Sequence, residues 1–322
     1  MTHASRPSLS LSEVFGLSPL PKRLAEAAMM LKGDEHTPPS RFGLSSLKIL
    51  RPRLSLLTWL GWTPSDGRAP LYNLFNHTQT PPEEGWSVRK TQVRDYRGGQ
   101  CTYDSHNGTD FAVPVGTVVV SAAPGIVVRV CNEFHRGGLK VIIDHGSGVM
   151  TTSNHLSRAL VEVGERVDRG EPVALSGASG VDMVAVFPWS APHIHYNVWL
   201  DGRAVDPFGC DGETPLWRDG NEPRPAAQDK AAREDEAFEP TAWDEAAVDE
   251  AIAGCRDAAL RRRLEQTEPL MRRAADTLFH LNYFPTRFES RPFIFARRHE
   301  RRPLLDLPLR PEDYVGVRYL DE

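Results

Sequence analysis

Apolar residues recur at helical spacing between prolines over roughly the first seventy residues of this chain. Leu24, Ala27, Ala28 and Leu31 follow Pro21 on one helical face, and Lys32-Gly33 supplies a stop. A second apolar run, Leu47 to Trp59, ends at Gly61-Trp62-Thr63-Pro64. Residues 1–70 are therefore read as an N-terminal helical segment. From about Trp86 the pattern shifts to short β-branched runs: Val118 to Ser121, Gly125 to Val130, Leu139 to Ile143, Val161 to Val163. Gly, Pro, Asp and Ser separate them. This predicts a compact, mainly antiparallel β domain over residues 71–212. Residues 213–240, rich in Pro, Asp, Glu, Arg and Ala, read as a solvated linker. Beyond them, Thr241-Ala-Trp-Asp244 matches a capping box that opens a helix to about Cys255. A further helical stretch runs from Arg256 to His280 with a break at Pro269. Phe293-Ile-Phe295 and Tyr314 to Tyr319 are candidate terminal strands in this last region, 241–322. The expected fold class is α+β.

Composition narrows the picture only slightly. The 322 residues are 40% hydrophobic and 25% charged, ordinary values for a globular chain. A net charge of -5 gives no global electrostatic case for nucleic acid or for an anionic membrane. Cys101, Cys131, Cys210 and Cys255 are widely spaced and read as separate reduced thiols, with a Cys101–Cys210 pair as the one alternative. The N-terminus lacks the pattern of an ordinary secretory signal, and no apolar run reaches the roughly eighteen residues of a transmembrane helix. Cytoplasmic synthesis is expected, with the site of action a separate question.

The chemistry is concentrated in three short pieces: His106-Asn-Gly-Thr-Asp110, Asn154-His155-Leu156 and Pro192-His193-Ile-His195. Residues i and i+2 of a strand share a face, so His193 and His195 should meet the same space. Asn197 should share that face and could fix a ring tautomer. A turn at Asn107-Gly108 should deliver Asp110 onto the strand beginning at Phe111. Hydrolytic zinc takes three protein ligands from His and Asp/Glu and leaves a position for water. The two imidazoles left over suit proton transfer. One Zn²⁺ ion is the expected cofactor.

His106-Asn-Gly-Thr-Asp110-Phe-Ala-Val-Pro-Val-Gly116, Ala123-Pro-Gly125, Asp144-His145-Gly146, His155-Leu-Ser157, Val163-Gly164, Ser176-Gly177 and Pro192-His193-Ile-His195 occur in unbroken order. Together they resemble the lysostaphin-type, LytM-like zinc endopeptidases of peptidoglycan over about residues 100–208. The resemblance implies a LytM-like β-sandwich with an open groove, zinc ligands His106, Asp110 and His195, and catalytic imidazoles His155 and His193. It implies peptidoglycan, or another peptide, as substrate, and hence action at the cell envelope or outside the cell.

Three departures bear on substrate preference. Val181 to Ala191 is longer than the family's usual turn, and its Phe187-Pro188-Trp189 is either a groove wall or a packing insertion. Ser153 replaces a common aromatic, and Asn197 a common carboxylate. His145 reads as a turn or supporting residue and His135 as part of an exposed hairpin loop; Tyr103 reads as a residue without a catalytic role, with an oxyanion donor near His106 as the lesser alternative. The rival readings are a metal-free wall-peptide-binding or hydrolase-regulating module, and a peptidase of a cytosolic peptide. A biotinyl- or lipoyl-like carrier is a third, but Lys140, the one nearby lysine, sits inside a strand-like run rather than a presented turn.

Overall fold

The computed structural model describes residues 7–227 and 238–320. Three helices open the chain: α1 (Leu11–Phe15), α2 (Leu20–Lys32) and α3 (Pro52–Trp59), with a 3₁₀ turn at Leu44–Ile49. Ser10 and Glu13 cap α1 reciprocally, Gly33 stops α2 at φ 71°, and Pro52 opens α3 at a first-turn position. Ten strands follow: β1 (Arg68–Asn73), β2 (Thr109–Ala112), β3 (Val118–Val120), β4 (Gly125–Glu133), β5 (Gly138–Asp144), β6 (Val149–Ala159), β7 (Arg166–Val167), β8 (Pro172–Ser176), β9 (His193–Leu200) and β10 (Arg203–Val205). A short helix, α4 (Val181–Ala185), interrupts them. Helices α5 (Glu245–Ala253), α6 (Ala258–Glu265) and α7 (Leu270–Tyr283) precede a last strand, β11 (Gly316–Tyr319). The class is α+β, as the sequence pattern implies.

The strands join in one sheet of order β11-β1-β2-β9-β6-β5-β4-β7, with β10 on β9 and the β3–β8 pair attached through β6. Every pairing is antiparallel except β1 with β11. Alternation along β9 divides its side chains between two cores. Ile194, Tyr196 and Val198 enter a core with Phe111, Trp217, Leu305 and Leu307. Trp199 turns the other way, with Met150 and Ile142, into a core built by α5 to α7. His193, His195 and Asn197 share the parity of Trp199. The C-terminal helices thus cover the face that carries the histidines.

Four expectations need correction. β1 was not foreseen. Residues 213–227 are packed rather than solvated: Leu216 and Trp217 are fully buried, and Trp217 and Pro225 bridge to Leu305 and Leu307. Their polar neighbours disguise two large apolar anchors; residues 228–237 lie outside the described residues. Asp244, not Thr241, caps α5, accepting from Ala247 N at 3.1 Å. The Thr241 hydroxyl instead donates to buried Asp144 at 2.6 Å. Finally, only Trp243–Phe295 forms an isolated bridge near Phe293, whereas Gly316–Tyr319 does form a strand. Pro269 breaks the helices as expected, standing as the cap of α7.

Candidate metal centre and active site

Register assembles the site. On β2 and β9, Asp110 lies directly opposite His195 and Ala112 opposite His193. On β6, Asn154 lies opposite His195 from the other side. His106 reaches the same point from the turn before β2, and that turn needs Gly108. A Cβ there would stand 2.7 Å from the Tyr196 carbonyl and 3.0 Å from His195 Cε1. His155 sits where the β5–β6 register slips, with φ 58°. A bulge with a left-handed residue re-aims a side chain at some backbone cost, a pattern common at functional sites.

Three ligand atoms converge. Asp110 Oδ1 is 3.0 Å from His106 Nε2 and 2.7 Å from His195 Nδ1, and the two nitrogens are 3.1 Å apart. His106 Nδ1 lies 2.6 Å from the Leu74 carbonyl, which fixes the proton on Nδ1. The Nε2 lone pair therefore points at a carboxylate oxygen, an arrangement that favours a cation between them. Asn73 Nδ2 donates to the other Asp110 oxygen at 2.8 Å. Burial opposes charge on Asp110, but the His106, His193 and His195 rings around it hold its carboxyl well below the usual range. These residues fit a zinc ion, with two imidazoles and one anionic oxygen as donors.

His155 and His193 lie beside this group, with ring centroids 4.7 Å apart. Each is fixed the same way: His155 Nδ1 is 2.8 Å from the Ser179 carbonyl and His193 Nδ1 is 2.8 Å from the Ala191 carbonyl. Both therefore present a free Nε2 lone pair. Burial, aided by His193 and His195, lowers the His155 pKa to about 4, so the ring is neutral at physiological pH. Asn197 Nδ2 is 3.0 Å from His195 Nε2, the contact its strand face implied.

The five residues are each less than 9% exposed. A cavity of about 70 Å³ reaches two of them, His155 and His195, and is walled by Phe42, Trp86, Tyr103 and Tyr283. The groove expected to be open is thus narrowed by residues from both flanking regions. Tyr103 packs 4.6 Å from the His106 ring, and burial, with the Asp110 charge, pushes its hydroxyl well above 10, leaving it a donor. Phe187 and Trp189 do not line the groove. Phe187 meets Phe15 and Trp59 edge-on, so that insertion is a platform for the N-terminal helices. Only its Asp182 reaches the cavity.

His135 lines the cavity beside His155 without joining the ligand group, and the remaining candidates stand apart from the site. His145 hydrogen-bonds the Pro124 carbonyl and the Thr151 hydroxyl. His135 is buried, not exposed: its ring stacks 5.1 Å from Phe284 and neither nitrogen has a partner. It approaches Glu26 and Glu133, but Glu26 is occupied by Arg23 at 2.8 Å and the Phe134 amide. None of the four cysteines is in a disulfide, so Cys101 and Cys210 do not pair. A larger cavity, about 780 Å³, lies away from the five site residues, against His145, Arg169, Arg218, His299 and Arg302. Sequence reasoning missed Asn73 and Tyr283, which carry no motif, and the Leu74 and Ser179 carbonyls, for which a sequence gives no sign.

Residues 104–207 match the model of peptidase family M23. This stretch is similar to members of that family. The M23 stretch is 42% identical over 101 residues to the peptidoglycan DD-endopeptidase ShyA of Vibrio cholerae, covering 31% of this chain and 22% of that protein. The DD-carboxypeptidase/endopeptidase Mpg of Neisseria gonorrhoeae is 31% identical over 133 residues, 41% of this chain and 28% of Mpg. Among solved structures, a zinc-containing peptidase from Vibrio cholerae shares 31% identity over 45% of this chain and 37% of its own, with a TM-score of 0.33. The lysostaphin catalytic domain of Staphylococcus simulans shares 28% over 32% and 77%, with a TM-score of 0.29. The chain spans only about a fifth to a quarter of the length of the curated relatives it matches.

Proposed function

We propose that this protein is a zinc endopeptidase that cuts peptide bonds in bacterial cell-wall peptidoglycan, acting at the envelope or outside the cell. The observation that carries the reading is the convergence of His106 Nε2, Asp110 Oδ1 and His195 Nδ1 beside two imidazoles tethered through Nδ1. The names of the M23 relatives support the choice of substrate. In this reading His106, Asp110 and His195 hold one Zn²⁺, which when bound polarises the scissile carbonyl and brings the pKa of water towards about 7.

The protein's own groups do the rest. His155 and His193 each have Nδ1 held by a backbone carbonyl, which leaves Nε2 for proton transfer. The imidazole that takes the proton of the attacking water returns it to the leaving amine, while the other orients that water through its Nε2. Tyr103 offers a hydroxyl proton to the developing oxyanion. Asn197 Nδ2 lies 3.0 Å from the outer nitrogen of His195 and holds the plane of that ring.

The test is mass spectrometry of purified sacculi after incubation with the zinc-loaded protein. New amino and carboxyl ends within the wall peptides, abolished by a chelator, are the expected result. Sacculi of several wall types left intact by protein of confirmed zinc content would overturn the substrate. The binding-module reading would then lead.

A further inference from the structure

Among the described residues, ten of the sixteen exposed large hydrophobic side chains lie between Leu11 and Trp62. A soluble surface rarely concentrates apolar groups without a partner for them. Helix α2 shows the inversion clearly. It buries Arg23 and Glu26 against the β domain, while Leu20, Leu24 and Leu31 stand on one side, each more than half exposed. Of the apolar face that the sequence predicts, Leu24, Ala28 and Leu31 are turned to solvent, while Ala27 packs with buried Met30 against Phe134 and Val181.

The same holds in the next two elements. Residues i and i+3 of a 3₁₀ helix eclipse, so Leu44 and Leu47 point together, 88% and 64% exposed. Helix α3 buries Ser55 and Thr58 and presents Arg53, Leu56 and Leu60 on the opposite side. Trp62, 40% exposed, follows.

Charge selects the partner. Between Glu35 and Asp66 there is no carboxylate, while Arg41, Lys48, Arg51 and Arg53 are cationic. Arg41 pairs with Glu84, but Lys48, Arg51 and Arg53 form no ion pair among the described residues. This local cationic face stands on a chain of net charge -5. Leucine and tryptophan interleaved with unpaired Lys and Arg is the composition of elements that lie in a bilayer interface. A second copy meeting this face about a two-fold axis would set like charges against each other.

We propose that residues 42–62 seat the protein on the surface of an anionic lipid bilayer. The outward leucines and Trp62 enter the headgroup boundary, and Lys48, Arg51 and Arg53 meet lipid phosphates. Phe42 also lines the cavity over the histidines, so the seat adjoins the groove. The inference does not depend on the peptidase reading.

The test is co-sedimentation of the full zinc-loaded chain with vesicles of phosphatidylcholine alone or mixed with phosphatidylglycerol. Pelleting with the mixed vesicles, reversed by salt, is expected. The Lys48→Glu/Arg53→Glu protein should bind at least about tenfold more weakly. The Leu44→Ser/Leu47→Ser/Leu60→Ser protein should lose binding with unchanged circular dichroism and zinc content. No partition onto the mixed vesicles, or equal partition by these variants, overturns the proposal. So does self-association in sedimentation velocity, abolished by the leucine variant, in a protein that ignores vesicles.

Discussion

The Tyr283 hydroxyl lies 3.0 Å from the side-chain oxygen of Asn197 and 3.0 Å from that of Asn154. Asn197 in turn contacts the outer nitrogen of His195. Helix α7, outside the M23 stretch, therefore reaches a candidate zinc ligand through one intermediate residue. Tyr283→Phe keeps the ring and removes the proton. It should weaken zinc affinity about tenfold, as loss of groups that orient a ligand does, and cost about 1 kcal/mol of stability. Competition titration against a zinc chelator and a thermal melt check both. Unchanged zinc affinity would reduce Tyr283 to a packing residue.

His106→Ala, Asp110→Ala and His195→Ala should each lose bound zinc by elemental analysis. His155→Ala and His193→Ala should retain it and lose about 10²–10⁴-fold in turnover. A His193→Ala protein without metal would reverse the roles within the His-Ile-His pair.

The Thr241–Asp144 bond ties the start of the C-terminal region to the end of β5. Thr241→Val leaves a buried carboxylate oxygen one donor short, at a cost of about 1–3 kcal/mol. A lowered melting temperature with normal zinc content is expected. An unchanged melt would show that the backbone amides of Thr241 and Gly146 suffice.

Acid should destabilise this fold before its carboxylates titrate. Burial lowers the His145 pKa to about 4, and burial with nearby Arg136 and Lys140 lowers that of His135 to about 2. Below about 6.5 the unfolded chain takes up protons that the folded rings refuse. The stability from these neutral rings is thus complete above that pH and is lost progressively as pH falls, towards about 4 for His145 and about 2 for His135. Melting temperatures of His135→Phe should show a shallower slope across this window than those of the parent protein. Parallel slopes would contradict the buried, neutral His135.

The legible part of this protein is the part written in short local motifs. His193 and His195 announce their shared face by spacing, and Asn107-Gly108 announces the turn that delivers Asp110. The illegible part depends on what arrives from far along the chain. His135 looks exposed because its own neighbours are Arg and Gly, and Phe284 covers it only once α7 has docked. Trp217 sits among polar residues, and its burial is set by Leu305. In α2 the periodicity was readable, but periodicity says only that a helix has two faces, not which one the fold will cover.

The β1–β11 pair has a consequence for any attempt to isolate the catalytic stretch. β2, which carries Asp110, is flanked on one side by β9 and on the other by β1, whose outer partner is β11 near the end of the chain. A fragment limited to residues 104–207 would leave β2 as a bare edge. Its unpaired amides and carbonyls would then recruit the nearest strand of a neighbouring molecule, and the backbone that holds Asp110 in register would become a seed for aggregation.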